Sequence, residues 1–394
     1  MIFLQISTVF KDRNRLSPRY IPTTLPHREQ QLEQLFNMFS DVLENPADVY
    51  LRPVQIIGGI GTGKTSTTIR FGESLESKAM EKKIKLKHVY VNLKLQGSGR
   101  TVLYRYLLEK ASPEIRTTSL SGDEMLYQLV KYLNNKNMYL MISLDEIEYF
   151  MKHATEHIIY DLTRINELSP EKPCGVIGLI IISRGTDYYS LLEKSEMSTL
   201  GRNYINFPQY SNLQIRDILL ARSAEAFKRS AVSNDVIEFI ANVSADPPVN
   251  GDVRYALDLL LYSGNLADNR GSETVTLDHV RLVHGKVYHE ITSQDILDLP
   301  NDEKIVLLAL ARTLKHKKSA YVSFEEIRNN CALLSEELKI KIENIDYAIQ
   351  DMGNKGIVNV KSIVQIGISN VPTEDLITYI DSIIDRVRSD LNER

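Results

Sequence analysis

The stretch VQIIGGIGTGKT, Val54 to Thr65, decides the fold of the N-terminal half of this chain. Its second part, GGIGTGKT from Gly58 to Thr65, matches the phosphate-binding pattern GxxxxGK[ST] without a mismatch. The apolar run before it predicts a strand, and the residues from Thr65 onward predict a helix. In that context backbone N–H groups and the positive end of the helix converge on a phosphate. The alternative is a glycine-rich turn that binds nothing.

The motif gives individual residues a predicted role. Lys64 is predicted to reach the β- and γ-phosphates of a nucleotide, and the Thr65 hydroxyl to bind Mg²⁺. Because such a loop surrounds the phosphates with its backbone, its other residues are also predicted to bind the nucleotide. The predicted set is Gly58, Gly61, Thr62, Gly63, Lys64, Thr65 and Ser66.

Further apolar runs predict the rest of a sheet. Strands buried on both faces, with helical stretches between them, indicate parallel pairing. Five such runs occur, which are VQIIG (54–58), HVYVN (88–92), MYLMISL (138–144), VIGLIII (176–182) and YINF (204–207).

The run MYLMISL ends in an acidic pair within LDEIE. Behind a phosphate-binding loop, Asp145 is predicted to hold the Mg²⁺ shell and Glu146 to orient a water for attack on the γ-phosphate. Two carboxylates make hydrolysis chemically possible, and not only binding. The alternative is an ordinary helix N-terminus, where carboxylates favour the helix dipole.

The remaining chain predicts two further domains. Strand-like runs vanish after Ser211, and amphipathic helical segments continue to about Asp298, where Pro300 marks a boundary. The final part is predicted as helix, helix, helix and hairpin, which is the order of a winged helix-turn-helix. Its third helix is predicted from an apolar stripe, and the hairpin turn at Lys361-Ser362. The stripe is Leu338, Ile342, Ile345, Ile349 and Met352. The predicted domains are 1–210, 211–297 and 298–394.

Composition excludes several classes of protein. The chain has 394 residues, 47 basic and 51 acidic side chains and a formal charge of −4, so any nucleic-acid contact must come from local patches. The 2 cysteines stand far apart, which excludes a zinc ribbon or a disulfide framework and indicates a reducing compartment. The apolar run Gly175 to Ile182 is far shorter than the roughly 20 residues that span a bilayer. We therefore expect a cytoplasmic protein with no membrane contact.

Several blocks of the sequence together resemble the archaeal origin-recognition and cell-division-control (Orc/Cdc) initiators of the AAA+ class. The resemblance covers about Leu16 to Tyr262, with a weaker winged-helix match to the C-terminus. It implies an α/β AAA+ P-loop domain with a parallel five-stranded sheet, a helical lid domain and a C-terminal winged helix-turn-helix. The blocks, in the family's order, are LSPRYIPTTLPHREQQ, GGIGTGKT, LDEIEYF, YDLTRINEL, INFPQYSNLQIRDIL and GDVRYALDLL.

The resemblance also implies further contacts to ATP or ADP. Tyr20 and Ile21 would line the adenine pocket, and Tyr210 and Arg222 would touch the nucleotide. Arg254 is similar to the family's second sensor, which reaches the phosphates and takes part in catalysis with Lys64, Asp145 and Glu146. The alternative for Arg254 is a solvated arginine on a helix surface.

Two positions depart from the family's pattern. The stretch IISRGTD carries Arg184 where the family usually has an Asn as first sensor, and EKSEMSTLG carries Ser195 where the family has an arginine finger. An arginine finger contributes about 10³-fold or more to turnover. We therefore expect slow hydrolysis and a divergent paralogue.

DNA contacts are predicted on two surfaces. On the predicted third helix, Lys339, Lys341 and Asn344 lie off the apolar stripe, and Lys355 and Lys361 flank the wing. The insertion after Asn92 carries Arg100 and Arg105, where the resembled family grips duplex DNA. The alternatives are a protein-interaction wing and an ordinary solvated helix.

The resemblance implies an initiator that binds double-stranded origin DNA beside a paralogous initiator and recruits the replicative minichromosome maintenance helicase. One rival is a regulatory or signalling P-loop ATPase with a winged helix. A second rival is a nucleotide-binding subunit that is catalytically silent.

Overall fold

The computed structural model describes residues 7–96, 99–153, 157–169, 173–288, 291–340, 342 and 344–392. The chain divides into two compact units. We call Ile21–Tyr210 the P-loop unit, and Met1–Tyr20 with Ser211–Arg394 the lid–wing unit.

The P-loop unit is a parallel sheet with helices on both faces. Its helices are α1 (Glu29–Met38), α2 (Lys64–Glu81), α3 (Arg100–Ala111), α4 (Gly122–Lys136), α5 (Ile147–His153), α6 (Ile158–Thr163) and α7 (Lys194–Leu200). Its strands are β1 (Arg52–Gly58), β2 (Lys85–Asn92), β3 (Met138–Asp145), β4 (Val176–Ser183) and β5 (Tyr204–Phe207).

The five predicted runs form the sheet, whose strand order is β2-β3-β4-β1-β5 with every neighbouring pair parallel. The predicted parallel five-stranded sheet is therefore confirmed. Every residue of β4 is buried. Successive residues alternate between two apolar clusters, with Leu179 and Ile181 in one and Ile180 and Ile182 in the other. A strand covered on both faces reads as a continuous apolar run, which is why the sequence pattern identified it.

The strand order determines where the functional residues meet. Because β4 lies between β1 and β3, and all three run in parallel, their carboxyl ends share one edge. Gly58 ends β1, Asp145 ends β3 and Ser183 ends β4. The phosphate-binding loop, the acidic pair and the residue after β4 consequently lie side by side.

The lid–wing unit is helical apart from one small sheet. Its helices are α8 (Asn212–Ala226), α9 (Asn234–Ala245), α10 (Val253–Asn269), α11 (Leu277–Val287), α12 (Ser293–Leu297), α13 (Asn301–Lys317), α14 (Phe324–Leu338), α15 (Ile345–Asn354) and α16 (Thr373–Asn392). Its strands are β6 (Tyr321–Val322), β7 (Asn359–Ser362) and β8 (Gln365–Gly367).

The N-terminal arm is divided between the two units. The predicted domain 1–210 assigned the whole arm to the P-loop domain, whereas residues 1–20 group with the helical unit. The physical reason is local packing. The Phe10 ring stacks on Phe227 at 4.6 Å between centroids, and the backbone N–H of Thr8 donates to Asp268 Oδ1 at 2.6 Å. The boundary at 297/298 stays a prediction, because the lid and the winged helix lie within one unit.

The C-terminal part has the winged-helix order, in which α13, α14 and α15 precede an antiparallel sheet of order β6-β8-β7. The predicted third helix was wrong at its start. Lys339 has a φ of 55° and caps the end of α14, so the helical period from Leu338 to Ile345 crosses a break. The wing turn also differs. Ser362 pairs with Gln365, so the tip falls on Ile363 and Val364 and leaves Lys361 inside β7.

A half-buried histidine supports the helix that carries the phosphate-binding loop. The His88 ring packs against α2 at Gly72, where an added Cβ would overlap the ring. Its Nε2 lies 2.7 Å from Ser143 Oγ on β3. Burial lowers the pKa of His88 to about 4, so the ring is neutral at physiological pH.

We predict that this unit loses stability as the pH falls through the range of histidine titration. A histidine whose pKa drops from about 6.5 to about 4 on folding binds more protons in the unfolded chain. Its contribution is complete above pH 6.5 and declines towards pH 4, by about 2 kcal/mol between pH 7.5 and pH 5. Urea unfolding at both pH values should show a smaller loss in His88→Gln than in the parent chain. His153→Gln, at an exposed histidine, should keep the parent loss; equal losses in all three proteins would contradict the assignment.

Candidate functional site

The phosphate-binding loop has the backbone that its glycines predict. It leaves β1 at Gly58 and enters α2 at Lys64. Gly61 and Gly63 have φ values of 68° and 83°, in the left-handed region that favours glycine. A Cβ on Gly63 would also lie 2.8 Å from the Tyr210 hydroxyl. Thr62 Oγ1 donates to the Gly59 carbonyl at 2.9 Å and holds the loop closed.

Lys64 lies over the loop. Its Nζ donates to the carbonyls of Gly58 and Gly59, both at 2.6 Å, and the residue is buried. Burial lowers the pKa of Lys64, although the nearby carboxylates, Asp145 first among them, oppose that shift. Among the described residues, the ammonium has only neutral carbonyls as hydrogen-bond partners, and such a group at the N-terminus of a helix fits an anionic ligand.

Thr65 and Asp145, the two residues predicted to bind Mg²⁺, are in direct contact. Thr65 Oγ1 donates to Asp145 Oδ2 at 2.6 Å, and the Tyr90 hydroxyl donates to the same oxygen at 2.7 Å. Burial and Asp145 raise the pKa of Tyr90. A carboxylate and a hydroxyl are hard oxygen donors of the kind that Mg²⁺ prefers, so these residues fit the ion.

Glu146, the residue after Asp145, has an unusual backbone conformation. Its φ is 60°, which is uncommon for a residue with a side chain and often marks a functional position. Arg184 Nη2 donates to both Glu146 carboxylate oxygens, at 2.9 and 3.1 Å, and Arg184 Nε lies 3.4 Å from Glu148 Oε1. Hydrogen bonding to Glu146 raises the pKa of Arg184.

A buried arginine that the sequence analysis did not single out braces the loop. Arg28 Nε donates to the Thr62 carbonyl at 2.9 Å, and its Nη2 donates to the Pro208 carbonyl at 2.8 Å. The guanidinium also lies 3.7 Å from the centroid of the Tyr210 ring. No local signal marked Arg28, because in LPHREQQ it stands among polar and charged residues and its partners are distant in sequence.

Ile21 lies beside α2, the helix that follows the phosphate-binding loop. Arg70 on α2 donates to the carbonyls of Ile21 and Pro22, at 2.9 and 2.6 Å. The P-loop unit therefore brings together the phosphate-binding loop, Asp145, Glu146 and Tyr210, with Ile21 fastened to α2.

The lid–wing unit carries the other predicted nucleotide contacts. Tyr20 packs its ring against the guanidinium of Arg222, 4.6 Å from the centroid, and its hydroxyl donates to Glu225 Oε2 at 2.8 Å. Arg222 is buried, which lowers its pKa, and within the described part of the chain its Nη1 has no hydrogen-bond partner. Arg254 is exposed in the first turn of α10.

The two predicted DNA contacts on α3 differ in environment. Arg100 forms ion pairs with Asp123 and, at 2.7 Å, with Asp161. Arg105 is exposed, and no carboxylate among the described residues forms an ion pair with it. Arg105 is therefore the more accessible cation of the two.

The residues predicted to contact DNA in the winged helix also differ in position and in environment. Lys339 and Asn344 lie outside helix α15. Asn344 is its N-cap and accepts the N–H of Tyr347 at 3.0 Å, and Lys341 falls outside the described residues. Lys355 pairs with Glu303 and Asp351, and Lys361 Nζ lies 2.7 Å from Asp246 Oδ2. Helix α15 itself has two acidic residues and no lysine or arginine.

Among the helices of the described residues, none is long and apolar enough to cross a bilayer.

Comparison with known proteins agrees with this architecture. The model of the Cdc6 AAA+ ATPase-type lid domain matches residues 216–284, which hold most of α8 to α11. A second family model, of the bacterial TniB protein, matches residues 19–182. ORC1-type DNA replication protein 2 of Sulfurisphaera tokodaii is 33% identical over 84% of this chain and 80% of its own length. The chain belongs to the ORC1-type family of DNA replication proteins.

Solved structures of ORC1- and Cdc6-type proteins share the fold. Cdc6p from Pyrobaculum aerophilum covers 96% of this chain and 99% of its own, with a TM-score of 0.80 and 26% identity. The Aeropyrum pernix ORC1 protein, solved in complex with DNA, covers 97% of this chain and 100% of its own, with a TM-score of 0.63 and 27% identity. The expected AAA+ P-loop domain with a helical lid is thus confirmed for this ORC1-type chain.

We predict that Arg28→Lys weakens nucleotide binding by at least tenfold. A lysine cannot donate to separate carbonyls in a planar fork or stack on Tyr210 as a guanidinium does, so the loop loses its brace. Equilibrium binding of a fluorescent ADP analogue measures the effect, and circular dichroism checks that the variant folds. Arg116→Lys, at an exposed arginine of the same unit, is the matched control. Unchanged affinity in folded Arg28→Lys would show that the brace does not shape the loop.

Proposed function

We propose that this protein is an ATP-dependent replication initiator that binds origin DNA and helps to recruit the replicative helicase, with slow hydrolysis. The observation that carries the proposal is the joint placement of Lys64, Thr65 and Asp145 in a chain of the ORC1-type family. The family supplies the biological context, and the site supplies the chemistry.

The nucleotide and Mg²⁺ have residues suited to each of their parts. Lys64 and the loop N–H groups would hold the phosphates, while Thr65 and Asp145 would hold Mg²⁺, which neutralises charge on the phosphates. Tyr20, Ile21, Tyr210, Arg222 and Arg254 are the proposed further contacts. The buried Arg222 Nη1 without a partner among the described residues supports a ligand role for that side chain.

Glu146 is the proposed orienting base for hydrolysis. In that role its carboxylate accepts a hydrogen bond from the attacking water. The departures at Arg184 and Ser195 support slow turnover. They also favour the second candidate, a nucleotide-binding subunit that does not hydrolyse ATP, because Arg184 occupies both oxygens of Glu146.

The DNA contacts are proposed on α3 and around the winged helix. The solved complex of the A. pernix ORC1 protein with DNA supports the general role. In this chain, Arg105 and Lys339 are exposed and belong to no ion pair within the described residues, so they are the first candidates for phosphate contacts. Arg100, Asn344, Lys355 and Lys361 follow, and the three cations among them must exchange carboxylate partners for phosphates.

The proposed partners are a paralogous initiator and the minichromosome maintenance helicase. Both would associate with this chain on double-stranded origin DNA. A cytoplasmic, nucleoid-associated location follows from that role.

We predict that Asp145→Asn abolishes the effect of Mg²⁺ on ATP affinity. Asparagine keeps an oxygen that can accept from Thr65 and Tyr90 but removes the charge that attracts the cation. ATP affinity is measured with Mg²⁺ and with EDTA. The parent should bind more tightly with Mg²⁺, and Asp145→Asn equally with both. Glu81→Gln, which neutralises an exposed carboxylate at the end of α2, should behave as the parent. A persistent Mg²⁺ effect in Asp145→Asn would place the ion elsewhere.

We predict a preference for origin DNA that depends steeply on salt. With ATP or ADP, the full chain should bind origin fragments about 10³-fold more tightly than random duplex, since specific binders commonly reach that ratio. Arg105→Glu and Lys339→Glu should each reduce affinity and lower the salt slope by about 1, as expected for one lost phosphate contact.

Lys82→Glu makes the same change of charge at an exposed site at the end of α2 and is the control. Weak binding without preference for any DNA sequence, even with a paralogue present, would overturn the initiator role and favour a regulatory ATPase.

A further inference from the structure

Arg184 faces the catalytic end of the sheet from an unusual position. It follows β4 directly, between the ends of β1 and β3, so its side chain lies beside the acidic residues that follow β3. Its guanidinium contacts both oxygens of Glu146 and approaches Glu148. Within the described residues, the buried oxygens of Glu148 have no hydrogen-bond partner, and the ion pair with Arg184 reaches one of them, Oε1.

We infer that Arg184 is a positioning residue that restrains Glu146 and thereby slows ATP hydrolysis. This inference rests on the proposed binding and hydrolysis of ATP. It assigns the slow turnover to one reversible ion pair rather than to a defective phosphate-binding loop.

The geometry explains the restraint. In hydrolysis, the oxygen of a water bonds to the γ-phosphorus while the bond from that phosphorus to the β–γ bridging oxygen breaks. The bridging oxygen keeps the electron pair and leaves as part of ADP, and the proton that the water loses passes by way of Glu146 to the phosphate or to solvent. Glu146 can orient that water only when its carboxylate turns towards it. Arg184 Nη2 donates to both oxygens, and a guanidinium keeps its charge at any physiological pH. Each oxygen keeps a further lone pair, but the ion pair holds the carboxylate turned towards Arg184. Release from Arg184 therefore frees the carboxylate to turn to the water.

The ion pair between Arg184 and Glu146 slows hydrolysis but can open. The Arg184 side chain is 49% exposed, and ion pairs that are open to water are weak. Glu146 can therefore escape, and hydrolysis continues at a reduced rate.

The test compares Arg184→Asn and Arg184→Lys with the parent chain and with Arg116→Asn, an exposed arginine of the same unit. Single-turnover hydrolysis and equilibrium binding of fluorescent ATP and ADP analogues are measured for each, without DNA. We expect Arg184→Asn to hydrolyse about 2- to 5-fold faster with both affinities within twofold of the parent, which is in line with one weak surface ion pair. Arg184→Lys should lie between the two, because a lysine attracts Glu146 without the planar fork.

A double variant tests whether the effect of Arg184 operates through Glu146. Arg184→Asn combined with Glu146→Gln should be as slow as Glu146→Gln alone, because the gain operates through that carboxylate. Thermal unfolding provides a readout besides activity: the two substitutions should shift the midpoint non-additively, as expected for residues in direct contact.

Two results would overturn the inference while leaving ATP binding intact. Slower hydrolysis by Arg184→Asn together with weaker binding of the ATP analogue than of the ADP analogue would show that Arg184 serves the γ-phosphate. A gain that persists with Glu146→Gln would show that the restraint acts elsewhere. Absence of nucleotide binding in every protein, the parent included, would instead overturn the proposed function itself.

Discussion

The position of β4 between β1 and β3 is the constraint on which the site depends. Parallel strands bring their carboxyl ends to one edge, so this order places the phosphate-binding loop, Arg184 and the acidic pair in adjacent positions although they are far apart in sequence. The burial of β4 on both faces fixes its register, since a shift by one residue would exchange the residues of the two apolar clusters. The core thus determines which side chains can meet at the edge.

A buried charge completes the constraint from outside the sheet. An unpaired guanidinium is costly to bury, but Arg28 donates to three backbone carbonyls, those of His27, Thr62 and Pro208, and stacks on Tyr210. These groups come from the arm, the loop and the end of β5. The conformation of the glycine-rich loop therefore depends on the arm and on the segment after β5, which lie near the start and the end of the P-loop unit in sequence. This is why a substitution at Arg28 should change the affinity for nucleotide.

Sequence alone predicted the features that follow from local chemistry. The strands were readable because continuous apolar runs are typical of a buried parallel sheet, and the loop because its glycines and Lys64 form a specific pattern. The pairing of Arg184 with Glu146 was not readable, because it depends on strand order, which no local pattern encodes. The start of α15 was wrong for a related reason: Leu338, Ile342 and Ile345 all pack on one apolar cluster, so the helical period continues through a break that only the φ of Lys339 marks. Arg28 was missed because burial of a charge requires partners that are distant in sequence.

Charge in the lid–wing unit limits how that unit can meet DNA. Helix α15 carries Asp346 and Asp351 and no cation, so a major-groove contact through it would bring carboxylates towards phosphates. The cations lie instead at its edges and on the wing, where Lys361 pairs with Asp246 of the lid. The same unit is joined by buried polar contacts: Arg281 on α11 donates to the Ile368 carbonyl at 2.7 Å, and Asp278 accepts the N–H of Thr373 at 3.0 Å. Because these contacts fasten the lid to the winged helix, a displacement of the lid carries the wing with it. If a DNA phosphate replaces Asp246 as the partner of Lys361, the lysine exchanges one ion pair for another, so DNA binding at the wing leaves its charge paired.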